Sequence, residues 1–188
     1  DNDFITKGQH STSQPLIIWY DQTVGSGDKG VGNTNTISVL TFDGTIQHWI
    51  AAPSNIINDT NWHHYAINII PSTNTIQIFI DGLLVEQNTK SWNGIANTGT
   101  ALRLGGPNPS ATPSLNGSID EVKIYPYART PDQIKNDYNL GFSASFGHQP
   151  ETAQVTPLKS KLIAHWSFDE GYGTTANDKV GGNTATFG

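Results

Sequence analysis

The sequence contains no cysteine and no methionine, and it is poor in charge of either sign. Without cysteine the chain forms no disulfide and performs no thiol chemistry, which excludes disulfide-stapled scaffolds and cysteine nucleophiles. Charged residues make up 14% of the chain, whereas roughly 25% is usual for soluble domains. Threonine, asparagine, serine and glycine therefore supply most of the polar surface, which is hydrated but weakly charged.

Basic residues and long apolar runs are also scarce. The ten lysines and arginines form no cluster and the formal net charge is −6, so no basic stripe can follow a phosphate backbone, and nucleic acid is not an expected partner. No segment approaches the roughly eighteen apolar residues that a membrane helix needs. The sequence starts at Asp1 with neither an initiator methionine nor a signal peptide, and we expect a mature product or a slice of a longer protein.

Paired carboxylates at the spacing that glycosidases need are missing as well. Those enzymes place two carboxyl groups about 5–9.5 Å apart across the scissile bond, which on a strand requires acids on one face, two or four residues apart. None of the four glutamates, Glu86, Glu121, Glu151 and Glu170, has such a partner within its strand. Asp120 and Glu121 are adjacent and point to opposite faces. We therefore expect no catalytic residues and no enzymatic activity.

Apolar and other residues alternate with a period of two along much of the chain, which is the pattern of half-buried β-strands. In the segment 75–81, Ile76, Ile78 and Ile80 fall on one face and the residues between them on the other. Further strands are predicted near 15–20, 65–69, 101–105, 118–125 and 162–168. Five residues are predicted to be buried on this basis: Trp62, Ile78, Ile80, Val122 and Trp166.

Two Asp-Gly pairs, Asp43-Gly44 and Asp81-Gly82, separate alternating runs and predict tight hairpin turns, since glycine tolerates the positive φ that such turns require. The short spacing between strands leaves no room for parallel βαβ crossovers. The predicted fold class is therefore all-β, a two-sheet antiparallel jelly-roll β-sandwich.

One short α-helix is predicted after these strands. Thr130 and Gln133 have the spacing of a capping box, in which the side chain of each accepts the backbone N–H of the other. Pro131 occupies the first helical position, and Gly141 is predicted to end the helix. Residues 142–161 then lose alternation and gain serine, threonine, glutamine and proline, which is the composition of a linker.

The run LNGSIDEVKIYPYARTPDQI, residues 115–134, resembles the closing strand and helix of laminin-G-like domains, which are concanavalin A-like lectin/glucanase jelly rolls. The segments 61–70, 75–86 and 101–106 resemble, in the family's order, the strands before that motif. The resemblance implies a secreted repeat of a bacterial or archaeal surface protein, located outside the cell or at its surface.

The end of the chain resembles the start of the same family. Residues 162–188, LIAHWSFDEGYGTTANDKVGGNTATFG, are similar to its opening strands but follow its closing motif. We therefore expect a jelly roll at 1–141 that lacks its opening strands, a linker at 142–161, and opening strands at 162–188 that complete a neighbouring copy. A window from a tandem array and a strand-donating subunit explain this order equally well. Circular permutation explains it less well, because permutation alone deletes no strands.

The resemblance also implies a structural calcium site. In the family such an ion often joins the opening turn, here Asp169, Glu170 and Gly171, to the aspartate of the closing strand, here Asp120. Calcium takes six to eight oxygen ligands, which acidic turns beside glycine can present. The equally weighted alternative is that Asp169 caps a turn and Asp120 accepts backbone hydrogen bonds.

Histidines and tryptophans give weaker signals. His63 and His64 are adjacent and cannot face one zinc ion together, so we interpret the histidines as surface or hydrogen-bonded residues. Trp49 and Trp92 lie near turns, where sugar stacking is an alternative to the favoured interpretation of half-buried packing.

The sequence as a whole favours a non-catalytic adhesive or structural module, acting as a tandem repeat or as a head-to-tail subunit of a cell-surface or filamentous assembly. Its expected partners are neighbouring copies and, secondarily, glycans. The alternatives are a carbohydrate-binding accessory module of a secreted glycoside hydrolase and a glycosidase fragment, since the fold alone does not decide function. The sequons at Asn58 and Asn116 are acceptors if the host glycosylates asparagine.

Overall fold

The computed structural model describes residues 2–9, 13–21, 34–89, 94–96, 99–106, 115–143 and 162–186. Within these stretches the chain consists mainly of antiparallel strands together with one α-helix. The predicted fold class, an all-β antiparallel sandwich with one short helix, is confirmed. No helix in the described stretches is long and apolar enough to cross a membrane.

A five-stranded antiparallel sheet forms the first layer, in the order β4, β3, β2, β1, β8. Its strands are β1 (Asn2–Gln9), β2 (Ser13–Asp21), β3 (Thr36–Phe42), β4 (Gln47–Ala51) and β8 (Leu102–Leu104). The predicted turn at Asp43-Gly44 joins β3 to β4, and the Asp43 carboxylate accepts hydrogen bonds from the N–H groups of Thr45 and Ile46 at 2.8 and 2.7 Å.

A three-stranded antiparallel sheet forms the second layer, with β6 in the middle. Its strands are β5 (Tyr65–Ile70), β6 (Thr75–Ile80) and β7 (Leu83–Thr89), and a short 3₁₀ helix, Pro71–Thr73, joins β5 to β6. Asp81 and Gly82 form the predicted hairpin turn between β6 and β7, with φ of 51° and 77°. Both residues therefore adopt the left-handed conformation that a tight two-residue hairpin requires.

The core lies between these two sheets and draws on both. Its buried members are Ile18, Ile37, Val39, Ile50, Ala52, Ile57, Ile76, Ile78 and Ile80. The predicted burial of Ile78 and Ile80 is confirmed. Phe79 faces the other side of β6 and is also fully buried. Strand β6 is therefore covered on both faces, whereas the alternating pattern predicted that only one face is buried.

The helix α1 (Pro131–Ser143) begins with the predicted capping box. The Thr130 N–H donates to the Gln133 side chain at 3.1 Å, and the Gln133 N–H donates to the Thr130 hydroxyl at 3.2 Å. The helix continues beyond the glycine that was predicted to stop it. A Cβ placed on Gly82 would lie 3.2 Å from the Cα of Lys135, so the helix rests directly on the β6–β7 turn.

The C-terminal segment packs as short strands, as predicted. The remaining strands are β9 (Val122–Ile124), β10 (Ala164–Trp166), β11 (Thr175–Asn177) and β12 (Thr184–Thr186). Strand β10 pairs antiparallel with β9 of the same chain, and β11 pairs with β12. The completion of a neighbouring copy stays a prediction. The predicted linker starts too early, because residues 142 and 143 belong to α1, and 144–161 lie outside the described residues.

A second small core holds this segment in place. Ala164, Trp166 and Ala176 are buried, and Leu104 of β8 and Val122 of β9 pack against them. The predicted burial of Trp166 is confirmed, whereas Val122 is only partly buried. The segment therefore contacts both the edge of the five-stranded sheet and β9.

Candidate functional site

Trp62 is the exposed tryptophan of the described residues. Its exposed fraction is 68%, whereas Trp19 and Trp166 are buried and Trp49 is partly buried. The predicted burial of Trp62 is therefore wrong. The physical reason is that β5 begins only at Tyr65, so the alternation of that strand does not fix the direction of a side chain three positions earlier.

Two carboxylates hold His63, the neighbour of Trp62. The Nδ1 atom of His63 lies 2.9 Å from an oxygen of Asp81, and its Nε2 atom lies 3.0 Å from an oxygen of Asp59. Asp59 also accepts the N–H of Asn61 at 2.8 Å, which turns the loop back on itself. We call Trp62 with Asp59, His63 and Asp81 the Trp62 surface. The expected hydrogen-bonded role of His63 is confirmed.

The charges on this surface reinforce one another. Burial lowers the pKa of His63, but the hydrogen bonds to Asp81 and Asp59 and their negative charges outweigh it and raise the pKa above its ordinary value. The hydrogen bonds from the Asn61 N–H and from His63 lower the pKa of Asp59. The carboxylate of Asp59 is therefore ionised at neutral pH.

His64 behaves in the opposite way. Its backbone N–H donates to Asp81 at 2.9 Å, and its ring lies 6.2 Å from the ring of Tyr138 on helix α1. Burial lowers the pKa of His64 because a charged imidazole is poorly solvated there. His63 and His64 are adjacent just before β5, yet their surroundings shift the pKa values of the two rings in opposite directions.

We expect NMR titration to show a midpoint above 6.5 for His63 and below 6.5 for His64, with assignment by His63→Gln and His64→Gln. Because the folded pKa of His63 is raised, its stabilising contribution is present below its unfolded pKa and is lost as pH rises through the folded value. The His63→Gln change should therefore cost more stability at about pH 5 than at about pH 8. Equal or inverted midpoints would contradict this arrangement.

The structure places the residues of the predicted calcium site as follows. Asp169 pairs with the ammonium of Lys179 at 2.9 Å. Glu170 and Asp120 each accept a hydrogen bond from a backbone N–H at 2.9 Å, and Gly171 is exposed. Across the described stretches, no group of three or more His, Cys, Asp or Glu is arranged to hold a metal ion. The calcium site therefore stays a prediction.

The other predicted site residues are dispersed. Trp49 meets Trp19 edge-on, with ring centroids 5.9 Å apart, which is the geometry of packing. A glycan contact at Trp49 stays a prediction, and Trp92 lies outside the described residues. The sequon residues Asn58 and Asn116 are both exposed, and their glycosylation also stays a prediction.

Sequence reasoning missed the Trp62 surface and Asp178. The stretch 58–64 contains one apolar residue among seven, and this isolation was the available signal that Trp62 does not belong to the core. Asp178 accepts the N–H groups of His165 and Val180 at 2.9 Å each. Burial raises the pKa of Asp178, but these hydrogen bonds hold it far below its ordinary value. Asp178 fixes the C-terminal hairpin.

The architecture defines a class, namely β-sandwich domains in which two antiparallel sheets enclose an aliphatic core. A laminin G family model, described as the Concanavalin A-like lectin/glucanases superfamily, matches residues 7–135. The chain therefore belongs to that superfamily, which confirms the resemblance seen in the sequence.

A solved structure shares the fold. A protein from Bacteroides ovatus ATCC 8483, described as a candidate carbohydrate binding protein, matches with a TM-score of 0.60 and 14% sequence identity over 99% of this chain. The chain spans about half of that protein, 53%. Identity this low shows the fold alone. No curated protein matches the sequence.

Proposed function

We propose that the chain is a non-catalytic carbohydrate-binding module that stacks a sugar ring on Trp62. The observation that carries this proposal is the 68% exposure of that indole, in the residue that precedes the hydrogen-bonded His63. A ligand that covers this ring removes apolar surface from water, which is favourable. The C–H face of a pyranose is a suitable cover, since tryptophan offers a flat apolar body at an otherwise polar surface.

The polar residues of the Trp62 surface suit sugar hydroxyls. The carboxylates of Asp59 and Asp81 accept hydrogen bonds, and those from hydroxyls to ionised oxygens are short and strong. His63 holds both carboxylates in position. Side chains that are fixed before binding lose little conformational entropy when a ligand arrives.

The electrostatics support binding without hydrolysis. A glycosidase needs a general acid whose pKa is raised so that it carries a proton at neutral pH. The described carboxyl groups with a shifted pKa are all lowered: Asp59, Glu121, Asp169, Glu170 and Asp178. Moreover, the imidazole of His63 occupies the space between Asp59 and Asp81, where a scissile bond would have to lie.

The comparisons are in keeping with this role. The superfamily of the chain includes lectins by its description, and the Bacteroides protein of the same fold is described as a candidate carbohydrate binding protein. A fold hosts many functions, so the argument for glycan binding rests on the Trp62 surface.

The adhesive or structural role, outside the cell or at its surface, is the second candidate. The observation that favours it is the three-residue pairing of β10 with β9. The two strands belong to different described stretches, with residues 144–161 between those stretches. A stretch of eighteen residues has a maximum reach of roughly 60 Å. The β10 strand of one copy can therefore pair in the same register with β9 of another copy, as in donor-strand complementation.

The test of the first proposal is affinity electrophoresis in gels that contain soluble polysaccharides, with wild type beside Trp62→Ala. We expect wild type to be retarded by at least one polymer, and Trp62→Ala to lose about 2 kcal/mol of binding free energy, roughly 30-fold in affinity. Surface substitutions usually change stability by within about ±0.5 kcal/mol, so the melting temperature should stay close to wild type.

Tyr172→Ala is the matched control, since Tyr172 is 91% exposed but belongs to the C-terminal segment. It should bind as wild type does. Retardation that persists unchanged in Trp62→Ala, or that is absent for wild type with every polymer, would contradict the proposal.

A further inference from the structure

We infer that Glu121 selects the C-terminal segment as the partner of β9, because its carboxylate accepts a hydrogen bond from the His165 side chain of β10. This inference deepens the second candidate role, on which it rests, and names the side-chain contact that makes pairing between copies specific. We call Glu121 with Lys123 and His165 the seam cluster.

The seam cluster lies across the junction of β9 and β10. His165 of β10 is directly opposite Lys123 of β9 in the antiparallel register. One carboxylate oxygen of Glu121 lies 2.6 Å from Nζ of Lys123 and 3.0 Å from Nε2 of His165. Because an ionised carboxylate only accepts hydrogen bonds, Nε2 of His165 carries the hydrogen and donates it. Glu121 therefore joins the two strands through side chains, in addition to their backbone pairing.

Glu121 adopts a backbone conformation that glutamate rarely takes. Its φ is 52°, in the left-handed region that glycine tolerates and that other residues enter at a conformational cost. Strain of this kind persists where surrounding contacts fix it, and it is concentrated at functional positions. The contacts of Glu121 with Lys123 and with His165 offset this cost. The strain therefore distinguishes Glu121 from an ordinary surface glutamate.

The C-terminal segment itself holds His165 in place for this contact. The backbone N–H of His165 donates to the carboxylate of Asp178 at 2.9 Å, and its carbonyl accepts the N–H of Lys179 at 2.8 Å. Both hydrogen bonds lie within the segment, so they do not depend on which copy supplies β9. The segment can therefore present His165 in the same way to its own β9 and to β9 of a second copy.

Side chains are needed for selection, because backbone pairing does not distinguish one strand from another. Every residue except proline supplies the same backbone donor and acceptor, and the ladder of β9 and β10 is three residue pairs long. Glu121 favours a strand that places a hydrogen-bond donor opposite Lys123. It disfavours a strand that places a carboxylate there, since like charges at close range repel one another. His165 meets this requirement in the same chain and in a second copy.

Reversals of charge test the selection within one chain. Glu121→Lys places a cation beside Lys123 and His165, whereas His165→Glu places a carboxylate beside Glu121. The reporter is the amide of Ile163, which donates to the carbonyl of Ile124 across the seam at 2.9 Å. Each single change should speed hydrogen exchange of this amide by at least roughly tenfold at low ionic strength. Both changes in one chain restore opposite charges and should restore most of the protection.

Glu86→Lys is the matched control, since it reverses the charge of a glutamate on β7, in the three-stranded sheet. It should leave hydrogen exchange at Ile163 as in wild type. The amide of Ile78, in the core of the sandwich, reports global unfolding. In the single variants of the seam cluster, the change at Ile78 should be smaller than the change at Ile163.

A mixture of the two single variants tests the same selection between copies. When these chains exchange segments, His165 of the Glu121→Lys chain contacts the unchanged Glu121 of the other, and the new glutamate contacts the new lysine. Both seams are then complementary, although each variant alone has a mismatched seam. Native mass spectrometry with one chain isotopically labelled should show more heterodimer than both homodimers together, which exceeds random pairing. Wild type mixed with the doubly changed chain mismatches both seams and should show no heterodimer.

The outcomes separate this inference from the role on which it rests. Single variants that exchange at Ile163 as wild type does would overturn selection by Glu121, and so would a doubly changed chain that exchanges as fast as they do. Recovery in the doubly changed chain without heterodimer in the mixture would support the Glu121–His165 contact. The same result would overturn pairing between copies, which is the second candidate role.

Discussion

Replacing Trp166 with alanine should lower the free energy of unfolding by about 3–5 kcal/mol, the cost of removing a large ring from a packed core. Trp166 is 6% exposed and is the largest buried member of the cluster against which Leu104 and Val122 pack. Its indole N–H donates to the carbonyl of Asn183 at 3.1 Å. The change therefore removes apolar contacts and a hydrogen bond within the C-terminal segment at the same time.

Urea unfolding followed by tryptophan fluorescence and by circular dichroism measures this effect, since coincident transitions show whether the segment unfolds with the sandwich. Tyr172→Ala lies in the same segment but is exposed, and it should change stability by within about ±0.5 kcal/mol. A loss for Trp166→Ala as small as the loss for Tyr172→Ala would mean that the segment contributes nothing to the folded body.

Local patterns were sufficient to predict the strands and turns but not what covers them. The alternation of Ile76, Ile78 and Ile80 and the Asp81-Gly82 turn predicted the β6–β7 hairpin and its core face. The burial of Phe79 on the opposite face was not predictable, because alternation describes one strand and not the element that packs on its outer side.

The Trp62 surface depends on register, which explains why sequence reasoning missed it. Asp81 and His63 meet because Tyr65 pairs with Ile80 across β5 and β6. That pairing follows from tertiary structure and is not evident from either segment alone. The same holds for β10, since Trp166 pairs with Val122 of β9 although 43 intervening residues separate them in sequence.

Asn68 connects the three-stranded sheet to the segment that leads into helix α1. Its side chain is 5% exposed, accepts the N–H of Arg129 at 2.9 Å and donates to the carbonyl of the same residue at 2.7 Å. It also donates to Gln77 on β6 at 3.0 Å. The side chain of Asn68 thus forms hydrogen bonds with both the N–H and the carbonyl of Arg129, a buried residue that lies outside the described strands.

Asn68→Ala should therefore lower the free energy of unfolding by about 2–4 kcal/mol, because two buried backbone groups lose their partner at roughly 1–3 kcal/mol each and water compensates in part. Thermal and urea unfolding measure the loss. Gln77→Ala is the matched control, since it removes one hydrogen bond of Asn68 and leaves both bonds to Arg129 in place, and it should cost about 1 kcal/mol or less.

Asn68→Asp separates the two bonds to Arg129. The new carboxylate still accepts the N–H of Arg129, but it faces the carbonyl without a proton to donate, which raises its pKa above the unfolded value. Its cost should therefore be largest at neutral pH and should shrink as pH falls and the group becomes protonated. If Asn68→Ala cost no more than Gln77→Ala, or if the cost of Asn68→Asp did not vary with pH, the backbone of Arg129 would not depend on Asn68.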